Sequence, residues 1–143
     1  MHAVTPIALS IGELSRQSGL STHTLRFYEA QGILQPASRN ASGHRHYLPG
    51  DVQWLAFVLR LKRTGMPLAQ IREYAALRAE GETTWAPRLA MLKLHREHLS
   101  RKIEELQSCA AALDEKMHTY QTMLSQPKAC LLYTSDAADE RSS

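Results

Sequence analysis

The sequence predicts a mainly α-helical protein: a winged helix-turn-helix domain with a small β-hairpin wing, followed by a long C-terminal coiled-coil dimerisation helix. Three patterns predict this fold class. Two short helices are joined by a glycine-containing turn near the N-terminus, a short basic hairpin pattern comes next, and a heptad repeat fills the C-terminal half. The 143 residues suffice for one modest domain and an extension.

The first pattern is a pair of capped helices. Ser10 and Glu13 stand at capping-box spacing at the start of a helix over 11–17, and Ser21 is a good N-cap for the next helix. Gly32 is a good stop for that second helix. Two short helices joined by a tight turn form a helix-turn-helix, whose second helix enters the major groove. The candidate DNA contacts on that helix are Thr22, His23, Thr24 and Arg26.

The second pattern is a hairpin, or wing, over 37–47. Asn40, Ser42 and Gly43 are turn formers, and the segments on either side are short. Basic side chains on or near the two strands make the wing a second candidate contact with DNA. The candidate contacts are Arg39, His44 and Arg45, and His46 is a further basic residue of the same segment.

Two further helices should complete the domain. Asp51 starts the third, which carries apolar residues at helical spacing and ends near Thr64 with Lys62 and Arg63 in its last turn. Pro67 suits the first turn of a fourth helix. Residues 79–82 read as a polar linker.

From Trp85 to Leu124, twelve positions at alternating steps of four and three form a seam, and eleven of them are apolar, with Arg96 as the exception. Such a seam predicts a coiled coil. Since one small chain cannot bury it, we expect a homodimer; the alternative is a helix folded back on its own domain. The expected dimer contacts are Leu89, Leu92, Leu99, Ile103, Leu106, Leu113, Met117 and Tyr120.

Composition narrows the class of protein. The net charge is only +3, but residues 1–63 hold six Arg and one Lys against two Glu and one Asp, so the N-terminal part is the basic part. There is no apolar run of about 18 residues, no secretory signal and no catalytic constellation. We expect a cytoplasmic protein that is not an enzyme and that uses no cofactor, metal or membrane.

The N-terminal segment IGELSRQSGLSTHTLRFYEAQGIL resembles the opening of the MerR family of bacterial transcription regulators, whose pattern runs close to IGELA..(T/S)G(V/L)S..TLR(Y/F)YE..GLL. The resemblance covers about residues 8–125. It implies a dimer that binds double-stranded promoter DNA where the spacer between the −35 and −10 elements is too long. The dimer would bend and untwist that DNA so that RNA polymerase engages both elements.

The resemblance also implies residue roles. Arg26 and Tyr28 would contact the DNA backbone, as would the wing segment 42–47, which matches a family pattern close to (S/N)GYR.Y with His44 in place of the usual Tyr. Lys62 and Arg63 would touch phosphates. The alternatives are a core aromatic at Tyr28, packed on Leu25 and Leu55, and solvated charges at Arg45, Lys62 and Arg63.

The effector is not identified by the sequence. Residues 57–74 resemble the branch that includes aldehyde- and thiol-stress regulators, but Arg60 stands where electrophile-sensing members carry a cysteine. Metal-sensing members use paired cysteines near the far end of the dimer helix, whereas Cys109 and Cys130 are 21 positions apart. His95 and His98 lie on the same face of a helix and could be a pair of metal ligands, but the simpler interpretation is a solvated surface.

The sequence divides into three segments. We expect a DNA-binding domain at 8–78, a dimerisation helix at 84–126, and a non-native tail at 131–143, which reads like translated vector sequence. Two alternative functions stay open: a metal- or redox-sensing MerR-type regulator that uses Cys109, and a coiled-coil protein-interaction module.

Overall fold

A computed structural model describes residues 8–39 and 43–126. The predicted wing-turn residues Asn40 and Ser42, Cys130 and the expected tail at 131–143 lie outside the described residues. The elements, in order, are β1 (Leu9–Ser10), α1 (Ile11–Ser18), α2 (Thr22–Ala30), β2 (Ser38–Arg39), β3 (Arg45–Tyr47), α3 (Gly50–Arg63), α4 (Leu68–Glu80), a 3-10 turn (Glu82–Thr84) and α5 (Trp85–Ser125).

The predicted caps begin both helices of the helix-turn-helix. The Ser10 hydroxyl accepts the backbone N–H of Glu13 at 3.1 Å, and the Ser21 hydroxyl accepts that of Thr24 at 3.1 Å. Each bond satisfies a backbone donor that lacks a partner within the helix. Between the helices Gly19 has a φ of 75°, a left-handed conformation that favours glycine and turns the chain sharply into α2.

The wing is part of a three-stranded antiparallel sheet in the order β1-β3-β2. The predicted hairpin consists of β2 and β3, with Ser38 opposite His46. The sequence prediction missed β1, in which Leu9 lies opposite Tyr47. A strand of two residues has no alternation to reveal it, and it pairs only because the start of α1 lies beside the wing.

One core holds the N-terminal helices and the wing together. Leu14, Leu25, Tyr47 and Leu55 come from different elements and are each completely buried. The indole N–H of Trp54 donates to the backbone carbonyl of Ile33 at 2.8 Å, which satisfies a buried donor. This bond ties α3 to the segment that follows α2.

The predicted polar linker at 79–82 is shorter than expected. Helix α4 continues through Glu80, and the chain then forms a 3-10 turn before α5. Thr84 in that turn is buried, and its hydroxyl donates to the carbonyl of Gly81 at 2.7 Å. A buried, hydrogen-bonded threonine makes this a packed junction.

Helix α5 runs from Trp85 to Ser125, close to the predicted 84–126. The chain divides into two compact units, Met1–Leu99 and Ser100–Ser143, so the first turns of α5 belong to the N-terminal unit. There Met91 and Leu92 pack against the core. Among the described residues, no helix is long and apolar enough to span a membrane.

Candidate nucleic-acid interface

The start of α2 presents polar side chains to solvent. His23 and Arg26 are exposed, while Thr22 and Thr24 are half-buried. The Thr24 hydroxyl accepts a hydrogen bond from Ser21 Oγ at 3.0 Å, so it takes part in the cap. His23 and Arg26 therefore remain the candidate contacts with DNA that this helix exposes most.

The wing is joined to α2 through Glu29. Arg45 and Tyr47 are two positions apart on β3, so their side chains lie on the same face of the strand. The Tyr47 hydroxyl donates to Glu29 Oε1 at 3.0 Å. Arg45 Nε lies 2.9 Å from the same oxygen, an ion pair without the alignment of a good hydrogen bond. Burial first, and then the hydrogen bond to Glu29, raises the pKa of Tyr47 to about 12.

Arg26 and Arg45 line the same two surface clefts. One, of about 370 Å³, also includes Glu29 and Pro36. The other, of about 200 Å³, also includes His44. Residues of α2 and of the wing, which are far apart in sequence, thus lie together at both clefts. The guanidinium groups of the two arginines can bind anionic oxygens there.

Tyr28 belongs to the core. Its side chain is only 3% exposed, and it is part of the same buried cluster as Leu25 and Leu55. Tyr28 thus matches the core-aromatic alternative, and its burial does not support the phosphate contact that the resemblance implies. Its neighbour Phe27 is the exposed aromatic. Adjacent helical residues point about 100° apart, so a small difference in helix rotation decides which ring is buried.

The remaining predicted contacts are in α3 and in the other strand of the wing. Lys62 and Arg63 are exposed at the end of α3, and Lys62 lines a separate apolar cleft with Phe27 and Leu68. Arg39 is in β2. Within the described residues, Lys62 and the pair Arg26–Arg45 therefore belong to different clefts.

Helix α5 exposes an apolar stripe. None of its residues is fully buried. Of the predicted dimer contacts, Leu92, Leu99 and Tyr120 are half-buried in the single chain. The exposed contacts are Leu89, Ile103, Leu106, Leu113 and Met117.

In the described part of the chain, no group of three or more His, Cys, Asp or Glu could hold a metal ion. Cys109 is a free, exposed thiol. His95 Nε2 lies 2.7 Å from the hydroxyl of Thr64. Since that hydroxyl donates to the carbonyl of Arg60 at 2.7 Å, His95 is the donor in this contact. This use of His95 is structural.

The sequence analysis did not select Glu29, and it included Tyr47 only as the last residue of the wing segment 42–47. A signal for both was present in the sequence. Glu29 is one of only three acidic residues among the first 63, and Tyr47 follows Arg45 at the spacing of one strand face. An isolated acid within a basic segment suggests a specific partner.

A helix-turn-helix with an attached wing defines a class of DNA-binding proteins. Two family models place this chain within that class. The model of the MerR HTH family regulatory protein matches residues 9–77, and the MerR DNA-binding model matches residues 52–116.

Relatives and solved structures agree. An HTH-type transcriptional regulator of Pseudomonas aeruginosa is 36% identical over 107 residues, which are 75% of this chain and 81% of that protein. Heavy metal-dependent transcription regulator 2 of Rhizobium meliloti is 35% identical over 73% of this chain and 71% of its own length. Among solved structures, the chain is similar to HiNmlR, a MerR family regulator lacking the sensor domain, in its crystal structure bound to promoter DNA. The two sequences are 29% identical, and the match covers 83% of this chain and 94% of the HiNmlR chain with a TM-score of 0.71.

The chain belongs to the MerR family. It is a DNA-binding transcriptional regulator and not an enzyme. The predicted family and fold class are confirmed.

Proposed function

We propose that this regulator acts as a homodimer on promoter DNA and distorts an overlong spacer so that RNA polymerase can engage both promoter elements. The observation that carries the proposal is the meeting of Arg26 and Arg45 at shared surface clefts. A protein that works on promoter DNA works in the bacterial cytoplasm, and the proposal locates it there.

In this proposal residues 8–78 read DNA. His23 and the half-buried Thr22 and Thr24 meet base edges and nearby phosphates at the start of α2. Arg26 and Arg45 bind phosphates, which fixes the register of the protein on the duplex without reading its sequence. Secondary contacts with the DNA backbone are proposed for Arg39, His44, Lys62 and Arg63.

Residues 84–126 hold the two copies together. The support is the exposed apolar stripe on α5, which a monomer would leave in water. Two copies bring two reading helices to two half-sites, so the operator should be an inverted repeat. A dimer that holds both half-sites can bend and untwist the DNA between them, and the sequence of that DNA sets the cost of deformation.

A metal-sensing version of this function has one observation in its favour, since the Rhizobium meliloti relative is named a heavy metal-dependent regulator. The thiols that would bind a soft metal are few here. Cys109 is the single cysteine among the described residues. One exposed thiol falls short of the several ligands that such a site needs.

The test of DNA reading is Arg26→Ala, measured by fluorescence anisotropy on random-sequence duplex across a series of KCl concentrations. Loss of one phosphate contact should weaken binding to every duplex and lower the slope of log K against log salt by about 1. Arg72→Ala, which removes an exposed arginine of α4, is the matched control. Equal behaviour of the two variants would refute the role of Arg26.

Selection of tight-binding duplexes from a random library separates this function from a protein-interaction module. The regulator should enrich inverted repeats. A coiled-coil interaction module would enrich no sequence and would show a shallow salt slope.

A further inference from the structure

Glu29 is an acid in an unfavourable position. It lies in the last turn of α2, where the helix dipole disfavours negative charge. It also lines a cleft with Arg26 and Arg45, where it would repel the phosphates that these residues are proposed to bind. Electrostatics alone would therefore select against a carboxylate here.

The contacts of Glu29 indicate what it does. One oxygen, Oε1, accepts the Tyr47 hydroxyl at 3.0 Å and lies 2.9 Å from Arg45 Nε. The Glu29 side chain is 10% exposed and that of Arg45 is 37% exposed. Tyr47 is completely buried and anchored in the sheet, so it fixes Glu29, and Glu29 in turn forms the ion pair with the inner nitrogen of the Arg45 guanidinium.

We propose that Glu29 is a positioning residue for DNA binding: it holds Arg45 of the wing, through Nε, in the direction in which its terminal nitrogens meet a phosphate beside Arg26. This inference rests on the proposed function. An arginine that is held before binding loses less side-chain freedom when the phosphate arrives. The free energy saved by holding Arg45 in place before binding exceeds the free energy lost to repulsion between Glu29 and the DNA.

The variant Glu29→Gln separates the two effects because they have opposite signs. Glutamine keeps an oxygen that can accept the Tyr47 hydroxyl but removes the charge that attracts Arg45. Simple electrostatics expects tighter DNA binding after a negative charge is lost. Positioning expects binding to weaken by roughly two- to fivefold, the range that partly exposed ion pairs support.

The control is Glu80→Gln, the same change of charge at an exposed residue in the last turn of α4. It should bind random duplex as tightly as the parent or slightly more tightly. In an Arg45→Ala background, Glu29→Gln should weaken binding no further, because no guanidinium remains to be positioned. A purely structural role of Glu29 would instead give the same loss in both backgrounds.

Tyr47→Phe provides a second variant if Glu29→Gln unfolds. It keeps the charge of Glu29 and removes only the anchoring hydroxyl, and it should also weaken binding, with a loss that disappears in the Arg45→Ala background. Tighter or unchanged binding by folded Glu29→Gln would overturn the inference. If Arg26→Ala still weakens binding in that case, the proposed function stands and only the role of Glu29 is wrong.

Discussion

The proposal that the apolar seam of α5 is a dimer interface can be tested by placing charge in it. Leu106 and Leu113 lie two turns apart on α5 and are 60% and 66% exposed in the single chain. Both occupy the same heptad position. We expect the double variant Leu106→Lys, Leu113→Lys to be monomeric.

The magnitude follows from the exposed area. Burial of a whole leucine side chain contributes about 1.5–3 kcal/mol, and roughly three-fifths of each leucine is available for burial by a partner, which leaves about 1–2 kcal/mol each. The proposed symmetric dimer would have four such side chains, so the loss is about 4–8 kcal/mol. At about 1.4 kcal/mol per factor of ten, the dimer dissociation constant should rise by roughly three to six orders of magnitude.

Sedimentation equilibrium measures this constant directly. The matched control is Ser108→Lys, Thr122→Lys, which adds the same two charges at exposed positions of α5 outside the seam. Lysine is a good helix former, so both variants should keep the helical circular dichroism of the parent. An unaltered dimer in the seam variant would show that α5 is not the interface.

Two further predictions concern protonation and metals. The pKa of Tyr47 is raised to about 12, so its protonated hydroxyl contributes fully to the stability of the folded state below the unfolded pKa near 10. This contribution is lost as pH rises from about 10 towards 12, a change of about 2–3 kcal/mol in the free energy of unfolding. The difference between the free energies of unfolding of the parent and of Tyr47→Phe, measured in urea, should show this pH dependence. Cys109→Ser should retain specific DNA binding, and the chain truncated after Gln126 should bind Cu(I), Zn²⁺ and Hg²⁺ no more tightly than a single thiol does. A chelator competition that finds a tight stoichiometric complex, abolished by Cys109→Ser, would make the metal sensor the leading function.

Local signals predicted the helices well. Ser10, Ser21 and Gly19 act within three or four residues of their own positions, so the caps and the turn could be read from the sequence. The heptad repeat likewise predicted α5 to within one residue at each end. The fold class depended on these short-range patterns and was therefore predictable.

Long-range contacts were not predictable in the same way. The strand β1 exists because Leu9 meets Tyr47, 38 positions away. The link between Glu29 and Arg45 joins a helix to a strand, and no periodicity relates the two residues. Tyr28 and Phe27 are adjacent aromatics, and only the rotation of α2 against the core decides that Tyr28 is the buried one.

Leu92 shows what a heptad pattern leaves undecided. It occupies a seam position, yet in the single chain it is half-buried and packs against the core of the N-terminal unit. An apolar residue at a seam position can be buried within its own chain or against a partner, and spacing is the same in both cases. Since part of Leu92 is already buried, burying the rest of it against a partner chain would stabilise a dimer less than burying Leu106 or Leu113. The free energy of the proposed dimerisation should therefore come mainly from the exposed seam residues, such as Leu89, Leu106 and Leu113, and less from Leu92.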